Sequence, residues 1–194
     1  MHINAKHCFT TERLLIRPLI EQDRDLYLSL YCNEKIMLHI GKAFSQQEAE
    51  NAFIRTLTAM QKEKPPVITW AIVTLDNNEC IGIQALNWQT SKLMHKPNTA
   101  NINQAEIGIM LTAESQGQRF PEESMTALID YAFNALGLDK INAFYAKKNL
   151  KSKRVFDKLG FIFDTEQKQQ QPENTNDSYQ YVDKVSIKKS DCKT

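Results

Sequence analysis

The sequence predicts one α/β domain built around a single mixed β-sheet of about seven strands. Three observations predict it. Short runs that alternate apolar and polar residues are interleaved with longer runs whose apolar residues recur at helical spacing. Taken in order, these runs read β-α-α-β-β-β-α-β-α-β-β, with no internal repeat. And 194 residues suit one domain with ample length for a buried core.

The first strand is "RLLIRPL", Arg13–Leu19, closed by its proline. "EQDRDLYLSLYCNEKIM" follows as one helix, with Leu26, Tyr27 and Leu30 at helical spacing. The second helix, "FSQQEAENAFIRTLTAMQKEK", opens on a capping box of Ser45 and Glu48 and stops at "KPPV". "VITWAIVTLDNNECIGIQALNW" is a hairpin turning at Asp76-Asn77-Asn78. After a polar insertion, "NQAEIGIML" alternates. Gln104, Glu106, Gly108 and Met110 share one face, while Ala105, Ile107, Ile109 and Leu111 share the other.

"MLTAESQGQRFPEESMTAL" then passes through a polar turn around Gly117 into an amphipathic helix. Met125, Leu128, Ile129, Ala132 and Leu136 mark its buried side, and Gly137 stops it. "KINAFYA" is a strand, and "LKSKRVFDKLGF" is a short helix ending at Gly160. A further strand begins near Phe161, a mobile loop is expected at 166–178, and "YQYVDKVSIKK" is the last strand. The domain spans 10–188, between an N-terminal extension (1–9) and a C-terminal tail (189–194).

Composition narrows the function classes. Hydrophobic residues make up 42% and charged residues 24%, with a formal net charge of +1, so neither nucleic acid nor an acidic membrane is the expected partner. The four cysteines and four histidines are scattered without metal-ligand spacing. With no signal-peptide core or membrane-spanning run, a cytoplasmic location is expected.

Three local motifs carry a family resemblance. "QAEIGIML" with "QGQRFPEESMTALIDYAFNALGLDKI", "NLKSKRVFDKLGF", and the opening "TTERLLIRPL" with "EQDRDLYLSL" resemble the GNAT superfamily of acyl-CoA-dependent N-acetyltransferases. The ribosomal-protein N-terminal acetyltransferase branch is the closest in pattern. The resemblance covers roughly residues 10–188. It implies a mostly antiparallel sheet with helices on both faces and its fourth and fifth strands splayed apart. It further implies acetyl-CoA as co-substrate, no metal, and direct attack by a primary amine in a ternary complex. The acceptor is a protein N-terminus or a small amine, and the chain is a monomer or homodimer. The alternative is a catalytically weakened module of this fold that binds CoA or a protein.

By the same resemblance, Ile109, Met110 and Leu111 lie at a strand bulge that aims a backbone N–H at the thioester carbonyl. Gln116, Gly117, Gln118, Arg119 and Phe120 would cradle the pyrophosphate at a helix N-terminus. Here the pattern is altered: Glu114 brings a negative charge, Arg119 replaces a small residue, and Pro121 removes an N–H. Arg119 either obstructs the cradle or binds phosphate with its own fork of donors. Asn149 contacts the pantetheine arm, caps a helix, or both. Ser152 donates to the leaving sulfur. Phe156 stands where many members carry a tyrosine acid, so proton delivery from that position is excluded.

Glu106 is the candidate base, or else a paired surface carboxylate. Glu166 and Glu173 are weaker candidates for that task. Trp70 is expected in the core and Trp88 there or on a cleft wall, Asp183 is expected to be a structural partner, and His39 and His95 are assigned no role.

Overall fold

The computed structural model describes residues 7–88, 103–163 and 182–191. Eight strands form one sheet: β1 (Phe9–Thr10), β2 (Leu14–Pro18), β3 (Val67–Thr74), β4 (Cys80–Asn87), β5 (Gln104–Leu111), β6 (Lys140–Ala146), β7 (Ile162–Phe163) and β8 (Val182–Lys188). Their order across the sheet is β1-β2-β3-β4-β5-β6-β8-β7. All neighbours are antiparallel except β5 and β6. The helices are α1 (Arg24–Tyr31), α2 (Glu34–Met37), α3 (Gln46–Met60), α4 (Phe120–Asn134) and α5 (Leu150–Lys158). Among the described residues, no helix is long and apolar enough to cross a membrane.

The alternation in β5 sorts its residues between two cores. Ala105, Ile107 and Leu111 join Met125, Leu128, Ile129 and Ala132 of α4 on one face. Met110 joins Leu28, Leu30 and Phe53 of α1 and α3 on the other. Trp70 is fully buried in the first core, and its indole N–H donates to the His7 carbonyl oxygen at 2.8 Å. Trp88 packs partly buried against the same core.

Several expectations are corrected here. Phe9 and Thr10 form an additional edge strand on β2, so the fourth and fifth strands read from the sequence are β5 and β6. The first expected helix is three pieces: a 3-10 turn at Glu21–Asp23, then α1 and α2. It breaks because the Asn33 side chain accepts from the N–H groups of Lys35 and Ile36, restarting the helix. The Ser45 capping box forms as expected, with Glu48 Oε2 accepting from Ser45 N–H at 2.7 Å. β8 lies between β6 and β7, leaving β7 on the edge. The expected mobile loop with Glu166 and Glu173, and His95 in the polar insertion, lie outside the described residues.

Candidate active site

The site is a wedge. β5 and β6 pair at three positions, Gln104 with Lys140, Ala105 with Ile141 and Glu106 with Asn142. Beyond that rung they part, leaving 107–111 and 143–146 unpaired with each other. The separation therefore begins near the start of both strands. The closed end is stapled by side chains: Asn142 Nδ2 donates to Gln104 Oε1 at 2.8 Å, and Asn103 N–H donates to Asp139 Oδ2 at 3.0 Å. Asn142 Oδ1 is buried there without a hydrogen-bond partner among the described residues.

Hydrogen-bond alternation decides what lines the wedge. Thr112 N–H donates to Ile81 O, which puts the main-chain groups of even-numbered β5 residues toward β4. Ile109 and Leu111 therefore turn their N–H and C=O groups toward the gap. On β6, Lys189 N–H donates to Asp139 O, so odd-numbered residues bond β8. Phe144 and Ala146 turn their main chain toward the gap from the other side. Two strand edges thus face each other unpaired, as an extended, amide-rich chain inserted between them requires.

The bulge expected near Ile109–Leu111 is not in β5. Register with β4 runs unbroken from Gly82 opposite Leu111 to Asn87 opposite Glu106. The irregularity lies one strand pair away, where Ile72 opposes Gly82 but Val73 opposes Cys80. β4 carries the extra residue, Ile81, and its carbonyl receives the first N–H of the turn that follows β5.

That turn, 112–119, crosses the mouth of the wedge. Thr112 and Ser115 hydroxyls bond at 2.9 Å, and Gln118 Nε2 donates to the Glu114 carbonyl at 3.2 Å. Gly117 has φ +83° and Arg119 has φ +61°. Glycine adopts this left-handed conformation freely, whereas at arginine it costs about 1–2 kcal/mol. The small residue expected at 119 thus marks a real backbone demand, and Arg119 meets it under strain. The N–H groups of Gly117, Gln118, Arg119 and Phe120 have no acceptor among the described residues. Consecutive free donors beside a helix N-terminus make a concavity for an anion. The Phe120 ring is buried, so this residue offers its main chain alone.

The acidic residues of the first turn of α4 are neutralised by named partners. Lys158 Nζ sits 3.0 Å from Glu122 Oε1. Arg13 Nη2 lies 2.6 Å from Glu123 Oε2, and Thr11 Oγ1 donates to Glu123 Oε1 at 2.5 Å. Burial pushes both carboxyls up, but these hydrogen bonds and charges outweigh it and hold them below the ordinary glutamate range. Arg13, Thr11 and Lys158 were not singled out by the sequence, because their partners are distant along the chain.

α5 opens beside the same mouth. Asn149 Oδ1 accepts from Ser152 N–H at 3.1 Å, so Asn149 is the cap. Lys151 Nζ donates to Gln116 Oε1 at 3.3 Å and ties α5 to the turn. Phe156 is buried against Tyr145 and Phe161, with ring centroids 5.8 Å and 5.1 Å away. Ser152 lies one turn before Phe156 on the same helix face. Burial, then the charge of Asp183, raises the Tyr145 hydroxyl above its ordinary range. His39 is exposed on the loop after α2.

The turn after β5, Asn149 and Ser152 therefore gather at the mouth. Glu106 is half-buried on the last paired rung at the closed end, five residues before Leu111, or about 17 Å along the strand.

A splayed parallel pair opening between two helix N-termini leaves two unpaired strand edges facing one gap. The model for the acetyltransferase (GNAT) domain matches residues 13–162, and the chain belongs to that family. Its curated relatives include the "Uncharacterized N-acetyltransferase YoaA" of Bacillus subtilis (strain 168), 29% identical over 152 residues, covering 78% of this chain and 80% of that protein. Among solved structures, spermidine N-acetyltransferase from Vibrio cholerae in complex with CoA and spermine is 21% identical, with a TM-score of 0.73 over 93% of this chain and 98% of that one. The ribosomal-protein-S5-alanine acetyltransferase from Vibrio fischeri is 18% identical, with a TM-score of 0.71 over 96% of this chain and 99% of that one. The two share this fold to the same degree, so the ribosomal-protein branch is not singled out.

Proposed function

We propose that the chain transfers an acetyl group from acetyl-CoA to a primary amine, a protein N-terminus or a small molecule, in a ternary complex. The observation that carries this reading is the pair of unpaired strand edges meeting the free N–H groups of 117–120 at the mouth of the wedge. The pantetheine arm would lie between Ile109–Leu111 and Phe144–Ala146, and the pyrophosphate would rest on Gln116–Phe120. The acceptor nitrogen attacks the thioester carbon, a C–N bond forms, and the C–S bond breaks. A main-chain N–H of Ile109 or Leu111 stabilises the developing oxyanion. Ser152 donates to the departing sulfur, and Glu106, set back at the closed end, receives the amine proton through intervening water.

A second reading, a CoA- or protein-binding module with weakened chemistry, is favoured by Phe156, which has no proton to give. Two measurements separate them. Acetyl-CoA at 100 times its dissociation constant should stabilise the fold by about 2.7 kcal/mol in a thermal shift. A panel of amines should then release free thiol from acetyl-CoA. Stabilisation without thiol release would favour the module, and no stabilisation would remove both CoA readings.

Arg119 replaces lost backbone donors by reaching the CoA phosphates with its guanidinium. Arg119→Ala is then expected to weaken CoA binding by roughly 10- to 100-fold, the value of a charge-assisted hydrogen bond. Added salt should shrink that loss, because the side chain is exposed. Arg119→Gly relieves the left-handed strain but loses the charge, so calorimetric titration should show less than a tenfold gain. A larger gain would make Arg119 an obstruction.

A further inference from the structure

We infer that Arg13, the residue just before β2, is a positioning residue that shapes the phosphate-binding turn without touching the ligand. The inference rests on the acetyl-CoA reading above. Arg13 makes three kinds of contact with the turn and α4. Its Nη2 donates to the Gln118 carbonyl at 3.1 Å. Its Nε donates to Glu123 Oε2 at 2.7 Å, and its own backbone N–H donates to Glu123 Oε1 at 3.0 Å. Its guanidinium carbon lies 4.4 Å from the centroid of the Phe120 ring.

The first contact sets the direction of a donor. The Gln118 carbonyl and the Arg119 N–H belong to one planar trans peptide and point in opposite directions. Holding that carbonyl toward the guanidinium turns the Arg119 N–H away from it, to the open side of the turn. The second contact removes a repulsion, since Glu123 in the first turn of α4 would otherwise oppose an anion at that end. The third fixes Phe120, whose main chain supplies the next donor. Arg119 caps the helix without a side-chain hydrogen bond and in a strained conformation, so the end of the turn that enters α4 lacks the usual local cap.

Two acetyl donors separate this role from general stability. Acetyl-CoA needs the phosphate turn, whereas S-acetylpantetheine uses the wedge but carries no pyrophosphate. Arg13→Ala should raise the dissociation constant for CoA at least tenfold by calorimetry, and KM for acetyl-CoA in parallel. Its kcat/KM for S-acetylpantetheine should stay within twofold of the unaltered chain. Arg13→Lys keeps the charge but not the fork that joins Gln118 to Glu123, and should recover part of the affinity. It also keeps the test open should the alanine variant fold poorly. Unchanged CoA affinity in folded Arg13→Ala and Arg13→Lys proteins would overturn the role of Arg13 and leave the acetyl-CoA reading standing. Equal losses with both donors would likewise reduce Arg13 to a fold-stabilising residue. If the unaltered chain failed to bind CoA, the acetyl-CoA reading would fall, and the role of Arg13 with it.

Discussion

Ser152→Ala is expected to lower kcat by roughly 10- to 100-fold while raising KM for acetyl-CoA far less. Ser152 lies in the first turn of α5, where its backbone N–H is engaged by Asn149 Oδ1. Its hydroxyl makes no hydrogen bond among the described residues. Charge builds on the leaving sulfur mainly in the transition state, so a donor to that sulfur contributes there and little in the ground state. A hydrogen bond to a charged group contributes about 1.5–3 kcal/mol, which sets the expected loss. Phe156 sharpens the expectation, because its position cannot compensate by protonation. Steady-state kinetics with saturating amine decide the matter. An unchanged kcat would confine Ser152 to the first turn of a capped helix.

Gly82→Ala is expected to damage both stability and CoA binding. Gly82 opposes Leu111 at the end of the β4–β5 ladder, beside the extra residue Ile81. A Cβ built there would lie 2.5 Å from Leu111 Cδ2 and closer still to the Met110 carbonyl oxygen. One of those contacts is backbone, so rotamer changes alone do not relieve it. The strand pair must open where β5 leads into the turn at 112–119. Overpacking of this kind costs about 1–3 kcal/mol, a fall in Tm of roughly 2–12 °C for a chain of this size. Leu111 also presents main chain to the wedge, so CoA affinity should fall with Tm. A calorimetric scan and a CoA titration on the same variant test both parts. An unchanged Tm would mean that the β4–β5 approach is looser than the structure has it.

Elements carried by local chemistry were legible. The Ser45–Glu48 capping box, the alternation of Gln104–Leu111, the buried stripe of Met125–Ala132 and the stop at Gly160 each depend on residues a few positions apart. The break in the first helix was misread although its cause is also local. Asn33 competes for backbone donors, a contest that spacing of apolar residues does not register. The edge strand Phe9–Thr10 was missed because two residues carry no periodicity; it pairs with Ile16 and Leu15.

At the site, residue types were readable and their arrangement was not. A turn around Gly117 followed by a helix start already specifies free N–H groups and an anion-favouring end, since both follow from backbone geometry within one short segment. The same holds for Asn149 as a cap. Where β5 and β6 part, the move of the bulge from β5 to β4, and the bracing of the turn by Arg13 depend on contacts between distant segments. Arg13 and Glu123 are 110 residues apart, and Gln104 and Asn142 are 38 apart. Such pairs leave no periodic trace in one sequence. They exist because sheet register brings them together, and register is settled only when both cores pack at once.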